Sequence, residues 1–313
     1  MDMLIQCLLL ALGFAMLVKG ADWFVDGAAG VADKLGVPQL VIGLTIVAMG
    51  TSAPEAAVSL TAALKGNADI TIGNVVGSNI LNILIILGIV SVIIATPVAK
   101  SIIKIDLPFM ILITFVLLGL GYTGNQITRV ESLVLIALFI GYLAYLFIDA
   151  KKTGGSSEDE EEENNKPMWK LIIIAIIGLV LIVLGSDFTV DAATKIATEL
   201  GMGTRFIGLT IVALGTSLPE LFTSVAAALK GKSDIAIGNI VGSNIFNILF
   251  IVGLSAVITP VYFASNFVID TLVSVAAGVV LWLAIFKTKK LTRVAGIIML
   301  LAYAGYFVYL LMS

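Results

Sequence analysis

The chain has 313 residues, of which 59% are hydrophobic and 12% charged, with a mean hydropathy of +1.12. A soluble domain carries about a quarter charged residues, so this composition excludes an ordinary soluble enzyme and describes an all-α integral membrane protein. The net charge of −3 is dominated by the acidic run Glu158–Glu163, and the absence of histidine together with the lone Cys7 removes disulfides, thiolate clusters and the usual soft-metal ligands.

A spanning helix needs ~20 apolar residues. Apolar runs between polar punctuation predict ten, at 3–31, 38–64, 68–95, 102–121, 128–149, 168–197, 204–229, 234–258, 266–286 and 294–312. The first run has no basic leader and no small-residue cleavage site, so it reads as a retained helix. With the N-terminus outside, most basic residues fall in inner loops, among them Lys100, Lys104, Lys151, Lys152, Lys230, Lys232, Lys287 and Lys290. Lys65, Arg129, Lys195 and Arg205 remain outside. Cytoplasmic loops collect Lys and Arg, which places both termini on the extracellular side of a plasma membrane. The lack of a large central loop points to a prokaryotic one.

The second predicted helix contains IGLTIVAMGTSAPE (42–55), and the seventh contains IGLTIVALGTSLPE (207–220). The repeat extends to GADWFVDGA (20–28) with GSDFTVDAA (185–193), and to GNADITIGNVVGSNILNILIILG (66–88) with GKSDIAIGNIVGSNIFNILFIVG (231–253). Equivalent residues are separated by a constant 165 positions. Five predicted helices lie between equivalent points, so the second copy enters the membrane inverted. The expected organisation is a five-helix repeat over 1–150, an acidic cytoplasmic linker over 151–167 and an inverted five-helix repeat over 168–313. The linker, KKTGGSSEDEEEENNKP, has the composition of a solvated connector and lacks a D-x-D-x-D-G calcium loop. Inverted repeats place a shared site near the bilayer midplane, so the two copies of G-T-S-x-P-E should face each other there.

In each copy a proline interrupts the helix one residue before a glutamate, Pro54 before Glu55 and Pro219 before Glu220. Proline lacks the N–H that a helix needs and clashes with the preceding turn, so a kink is expected, with freed carbonyls such as those of Ala48 and Gly50. Thr51 and Ser52 lie four and three residues before Glu55, a spacing that on a continuous helix brings their hydroxyls to its carboxylate. Thr216 and Ser217 repeat this before Glu220. The following helices carry polar stripes, Asn74, Ser78 and Asn82 in one and Asn239, Ser243 and Asn247 in the other. Gly73/Gly77 and Gly238/Gly242 form G-x-x-x-G packing pairs. An ionisable group at the bilayer centre costs ~2.5–3.5 kcal/mol on insertion scales, and none of the four motif helices carries a Lys or Arg in its middle. The pair therefore reads as a −2 cage for a mobile, hard cation held by oxygen ligands. Ca²⁺ suits such a cage, with two or three Na⁺, or two protons, as replacements. Asp22, Asp26, Asp187 and Asp191 read either as hydrogen-bonding groups at the wetter ends of long helices or as gating residues.

These motifs resemble the cation/calcium exchanger superfamily, and specifically the prokaryotic sodium/calcium exchangers: G-T-S-x-P-E and G-S-N-I-x-N-I are similar to its two α-repeat elements. The resemblance implies ion ligands at Thr51, Ser52, Glu55, Ser78 and Asn82, and at Thr216, Ser217, Glu220, Ser243 and Asn247, with the carbonyls of Ala48 and Ala213. It also implies that the helices containing Asp22 and Asp187 slide past the rest of the bundle. Proton-coupled members have asparagine where this chain has Thr51 and Thr216, which favours the sodium-coupled branch. Potassium-dependent members, like some prokaryotic sodium/calcium exchangers, have aspartate where this chain has Asn247, which argues against K⁺ co-transport. The expected function is Na⁺/Ca²⁺ antiport by a monomer in a lipid bilayer. No cofactor, nucleic-acid partner or enzymatic activity is expected. A Ca²⁺/H⁺ exchanger using the same glutamates and a passive cation channel stand as alternatives. A hydrolase is disfavoured because Ser52 and Ser217 have no nearby basic partner.

Overall fold

The computed structural model describes residues 3–68, 70–153, 166–202 and 213–312. It is built from helices: α1 (Met3–Leu35), α2 (Gln39–Thr51), α3 (Ala53–Leu64), α4 (Ile70–Ile93), α5 (Ile102–Gly124), α6 (Arg129–Lys152), α7 (Met168–Glu199), α8 (Ala213–Thr216), α9 (Leu218–Leu229), α10 (Ser233–Ile258), α11 (Phe267–Phe286) and α12 (Arg293–Met312). Among the described residues, eight of these are long and apolar enough to cross a membrane singly. α2 and α3 form a ninth, broken span, bent by 50°. The start of the predicted 204–229 helix, Arg205 within it and most of the predicted linker lie outside the described residues.

The break between α2 and α3 is local chemistry. Ser52 leaves the helical region (φ −81°, ψ 11°), and Pro54 stands in the first turn of α3, where a missing N–H is harmless. Ser217 leaves it in the same way before α9, with Pro219 in the equivalent place.

α4 and α10 form the centre, with 72% and 83% of their most apolar windows buried, against 22%, 28% and 11% for α1, α7 and α12. The peripheral helices keep their leucines and isoleucines outward, as a lipid-facing surface requires. α10 lies directly on α2 through small residues. A Cβ at Gly242 would stand 2.5 Å from the carbonyl oxygen of Leu44, and one at Gly238 would stand 3.1 Å from its nitrogen.

α1 and α7 run antiparallel in backbone contact. A Cβ at Gly20 would meet the carbonyl oxygen of Gly178 at 2.8 Å, and one at Gly27 would meet the nitrogen of Ala175 at 2.6 Å. Gly13 sits in the same way against Gly185. Glycines replaced here by larger residues would push the two helices apart.

Outside the helices, two short antiparallel pairs stitch distant parts of the chain: Thr96–Pro97 with Lys290–Leu291, and Gln126–Ile127 with Val261–Tyr262. Arg129 donates to the carbonyl of Ile258 at the end of α10, and Arg293 to that of Ile93 at the end of α4. A cation at a helix C-terminus satisfies carbonyls that have no intrahelical donor.

Candidate cation site

Both glutamates are in the interior, Glu55 at 1% exposure and Glu220 at 0%. Each heads the helix that follows its break, Glu55 in the first turn of α3 and Glu220 in the first turn of α9. A helix N-terminus offers free N–H groups and a positive dipole end to a carboxylate. No ion pair reaches either glutamate among the described residues.

The hydroxyl partners are crossed between the two copies. Ser52 donates to Oε1 of Glu220 at 2.8 Å, and Ser217 donates to Oε1 of Glu55 at 3.4 Å. This corrects the expectation that Thr51 and Ser52 serve their own Glu55. That spacing holds only on a continuous helix, and the break at Ser52 turns its hydroxyl towards the other copy. Thr51 donates to Oδ1 of Asn239, again across the repeat, at 3.0 Å. Thr216, the last residue of α8, is half-buried. Both Ser52 and Ser217, like Glu55 and Glu220, are thus held at one meeting point of α2, α3, α8 and α9.

The carbonyl of Ala48 is less free than expected. It accepts the N–H of Ser52 at 3.0 Å and the hydroxyl of Ser243 at 3.3 Å. Pro54 removes a donor one turn further on, whereas Ser52 still closes its own helical bond back to Ala48. Ala213 opens α8, and the residues before it are outside the described set.

α4 and α10 supply the amides. Asn74 donates to the carbonyl of Glu55 and the hydroxyl of Ser59, at 3.1 and 2.8 Å. Asn239 repeats this with Glu220 and Ser224, at 3.4 and 3.0 Å. These two asparagines lock each glutamate-bearing helix to its neighbour. Ser78 is buried one turn before Asn82. Asn82 and Asn247 are fully buried and each begins a widened π-helical turn, Asn82–Ile86 and Asn247–Val252. Such turns are frequent where a helix presents groups to a site.

Two residues missing from the expected set organise this centre. Asn79 and Asn244 are both buried, and they direct the ligand-type amides. Asn82 donates to Oδ1 of Asn244 and Asn247 donates to Oδ1 of Asn79, both at 3.0 Å. They lie off the fourfold-spaced polar stripe, which is why that pattern passed over them. The strict repeat of Gly-Ser-Asn at 77–79 and 242–244 is the signal that could have found them.

The outcome is a symmetric set of unsatisfied oxygens. Oε2 of Glu55, Oε2 of Glu220, Oδ1 of Asn82 and Oδ1 of Asn247 are buried and accept no hydrogen bond among the described residues. Buried acceptors are nearly always partnered, and every one of these is of the oxygen type that binds hard cations.

A profile of the family described as sodium/calcium exchanger protein matches residues 5–148 and again 170–312. The chain is 40% identical to the CaxA protein of Alkalimonas amylolytica, over 99% of this chain and 100% of that one. It is 33% identical to the sodium/calcium exchanger MaX1 of Methanosarcina acetivorans, over 98% of each. Its fold is similar to a solved structure of the sodium-calcium exchanger NCX_Mj soaked with zero Na⁺ and Ca²⁺, with a TM-score of 0.85 and 32% identity, over 99% of this chain and 100% of that one.

Proposed function

This chain belongs to the sodium/calcium exchanger protein family, membrane-embedded antiporters that couple calcium to a counter-moving cation, and we propose that here the counter-cation is Na⁺. One observation carries the cation-exchange reading: among the described residues, four buried oxygens, two from each copy of the repeat, accept no hydrogen bond, and the two carboxylates among them have no basic partner; Thr51 and Thr216, where proton-coupled members have asparagine, favour Na⁺. A cation supplies what they lack.

In this reading Glu55 and Glu220 neutralise the bound ions, and Asn82, Asn247, Ser52, Ser217, Ser78, Ser243, Thr51 and Thr216 supply the shared oxygens from which each ion draws its shell. The carbonyls of Ala48 and Ala213 join them. A hydroxyl that donates one hydrogen bond keeps lone pairs for a metal, so the crossed serines can hold a carboxylate and a cation together. Ca²⁺ takes 6–8 oxygens, and a single Ca²⁺ balances both carboxylates. Two Na⁺ balance them equally, which makes competition for one site the basis of exchange.

Ten spanning segments in two inverted five-helix repeats belong to the same proposal, 1–150 and 168–313 joined by a cytoplasmic connector at 151–167. The broken α2–α3 counts as one span, and α9 ends its inverted counterpart. The chain works as a monomer in a plasma membrane with both termini outside. The ions are substrates, and the mechanism calls on no cofactor.

The test is reconstitution in liposomes with separately imposed Na⁺, K⁺ and H⁺ gradients. An outward-directed Na⁺ gradient should drive ⁴⁵Ca²⁺ uptake into the vesicles, and Glu55→Gln should remove it. Uptake that follows a pH gradient and ignores Na⁺ would replace Na⁺ by H⁺ in this scheme. Flux that persists without any counter-ion would indicate a channel.

A further inference from the structure

The paired aspartates of α1 and α7 are related by the 165-residue repeat, Asp22 with Asp187 and Asp26 with Asp191, and the same offset relates Lys230 to Lys65. The structure treats the two sets differently. Lys230, just beyond α9, bonds Oδ1 of Asp22 and Oδ1 of Asp26, each at 2.6 Å, and the carbonyl of Asp22 at 2.9 Å. Lys19 braces Asp22 from the same helix at 3.1 Å. Lys65, Asp187 and Asp191 are exposed, and Lys65 pairs with neither aspartate.

The two sets lie at opposite ends of the α1–α7 pair. Gly20 lies level with Gly178 and Gly13 with Gly185, so Asp187 and Asp191 sit level with the first third of α1. The two aspartate pairs are then separated by roughly 15 residues of helix, about 22 Å at ~1.5 Å per residue. That is most of the ~30 Å hydrocarbon thickness. One end of the α1–α7 pair is clasped to the bundle by Lys230, and at the other end Asp187 and Asp191 make no ion pair with Lys65.

In an inverted-repeat transporter the two opposite-facing states arise by exchange of the repeats' conformations. We propose that Lys65 with Asp187 and Asp191 forms the mirror clasp of the opposite-facing state, so that the two lysines hold the α1–α7 pair alternately. This rests on the alternating-access reading above. The clasps are partly exposed and therefore weak, which fits a device that must release on each cycle.

The test uses full-length protein in liposomes, with Cys7→Ser to remove the single native thiol. One protein carries Asp26→Cys with Lys230→Cys, and a second carries Asp191→Cys with Lys65→Cys. Both are treated with a short bifunctional thiol reagent, and the linked peptides are identified by mass spectrometry. Both pairs should link, and adding Lys230→Gln to the second should raise its yield several-fold. A second pair that stays at the level of two cysteines on opposite faces, or that ignores Lys230→Gln, overturns the proposal. Lys230→Gln and Lys65→Gln, singly and with native aspartates, give an independent readout. They should shift the apparent KM for Ca²⁺ on the two membrane faces in opposite senses, and a shift in the same sense overturns the alternation. Cross-linking needs no ion flux. Linking of both pairs in a protein that carries no Ca²⁺ would refute only the transport reading, and Na⁺-driven flux without the second link would refute only the clasp.

Discussion

Asn79 and Asn244 exchange hydrogen bonds across the centre of the molecule: each donates its amide to the other's main-chain carbonyl, at 3.2 and 3.3 Å. Their side-chain oxygens at the same time receive Asn247 and Asn82. The four asparagines form one chain, Asn82–Asn244–Asn79–Asn247, which joins α4 to α10 through the reciprocal pair at its centre and leaves Oδ1 of Asn82 and of Asn247 without a donor among the described residues.

Asn79→Ala breaks that chain at its centre. It removes the side-chain donor to the carbonyl of Asn244, which keeps the N–H of Asn247, and strands the side-chain amide of Asn247, and an unmet buried group costs ~1–3 kcal/mol. The detergent-solubilised protein should melt several degrees lower. Ca²⁺ affinity should fall about tenfold, because the amide of Asn247 is no longer aimed. Thermal unfolding and ⁴⁵Ca²⁺ binding on one preparation check both.

Glu55→Gln and Glu220→Gln separate stability from function. Each removes a charge that the fold buries without a basic partner among the described residues, so the ion-free protein should melt at the same or a higher temperature than the parent. Ca²⁺ at a hundred times its Kd stabilises a parent protein by ~2.7 kcal/mol, and that increment should vanish in both variants. A variant that unfolds outright would mean the carboxylates are structural.

The crossed serines are unequal, 2.8 Å for Ser52 with Glu220 and 3.4 Å for Ser217 with Glu55. Hydrogen bonds to charged groups contribute ~1.5–3 kcal/mol and weaken as they lengthen. Ser52→Ala should therefore raise the KM for Ca²⁺ about tenfold and Ser217→Ala less. Initial-rate measurements at varied Ca²⁺ distinguish them, and equal effects would contradict the geometry.

Asn247→Asp changes charge without changing shape. The site would carry three carboxylates, one more than a single Ca²⁺ balances. Exchange by the variant should take one more Na⁺ per Ca²⁺ than the parent does, with a matching change in its dependence on membrane voltage. Transport at clamped potentials in liposomes reads this directly.

How much of this was legible in the sequence depends on the kind of information. The duplication is exact in register, so the pairing of Glu55 with Glu220 and the break at Pro54 could be read from letters alone. The crossed serines could not, because the direction of a hydroxyl beside a broken helix depends on backbone angles at Ser52 that spacing does not encode. Asn79 and Asn244 escaped because each stands one position past the serine of its fourfold-spaced stripe, on a face whose contact with the other copy only the packing of α4 on α10 reveals. Lys230 looked like an ordinary loop cation, since its aspartate partners lie more than two hundred positions away on α1.

The serine crossing has a consequence for how such a molecule is made. A ribosome delivers the first copy of the repeat to the membrane well before the second, and in that interval Glu55 has no Ser217 and Asn82 has no Asn244. Half a chain cannot assemble the cage, so ion binding has to wait until the second copy has joined the first in the membrane.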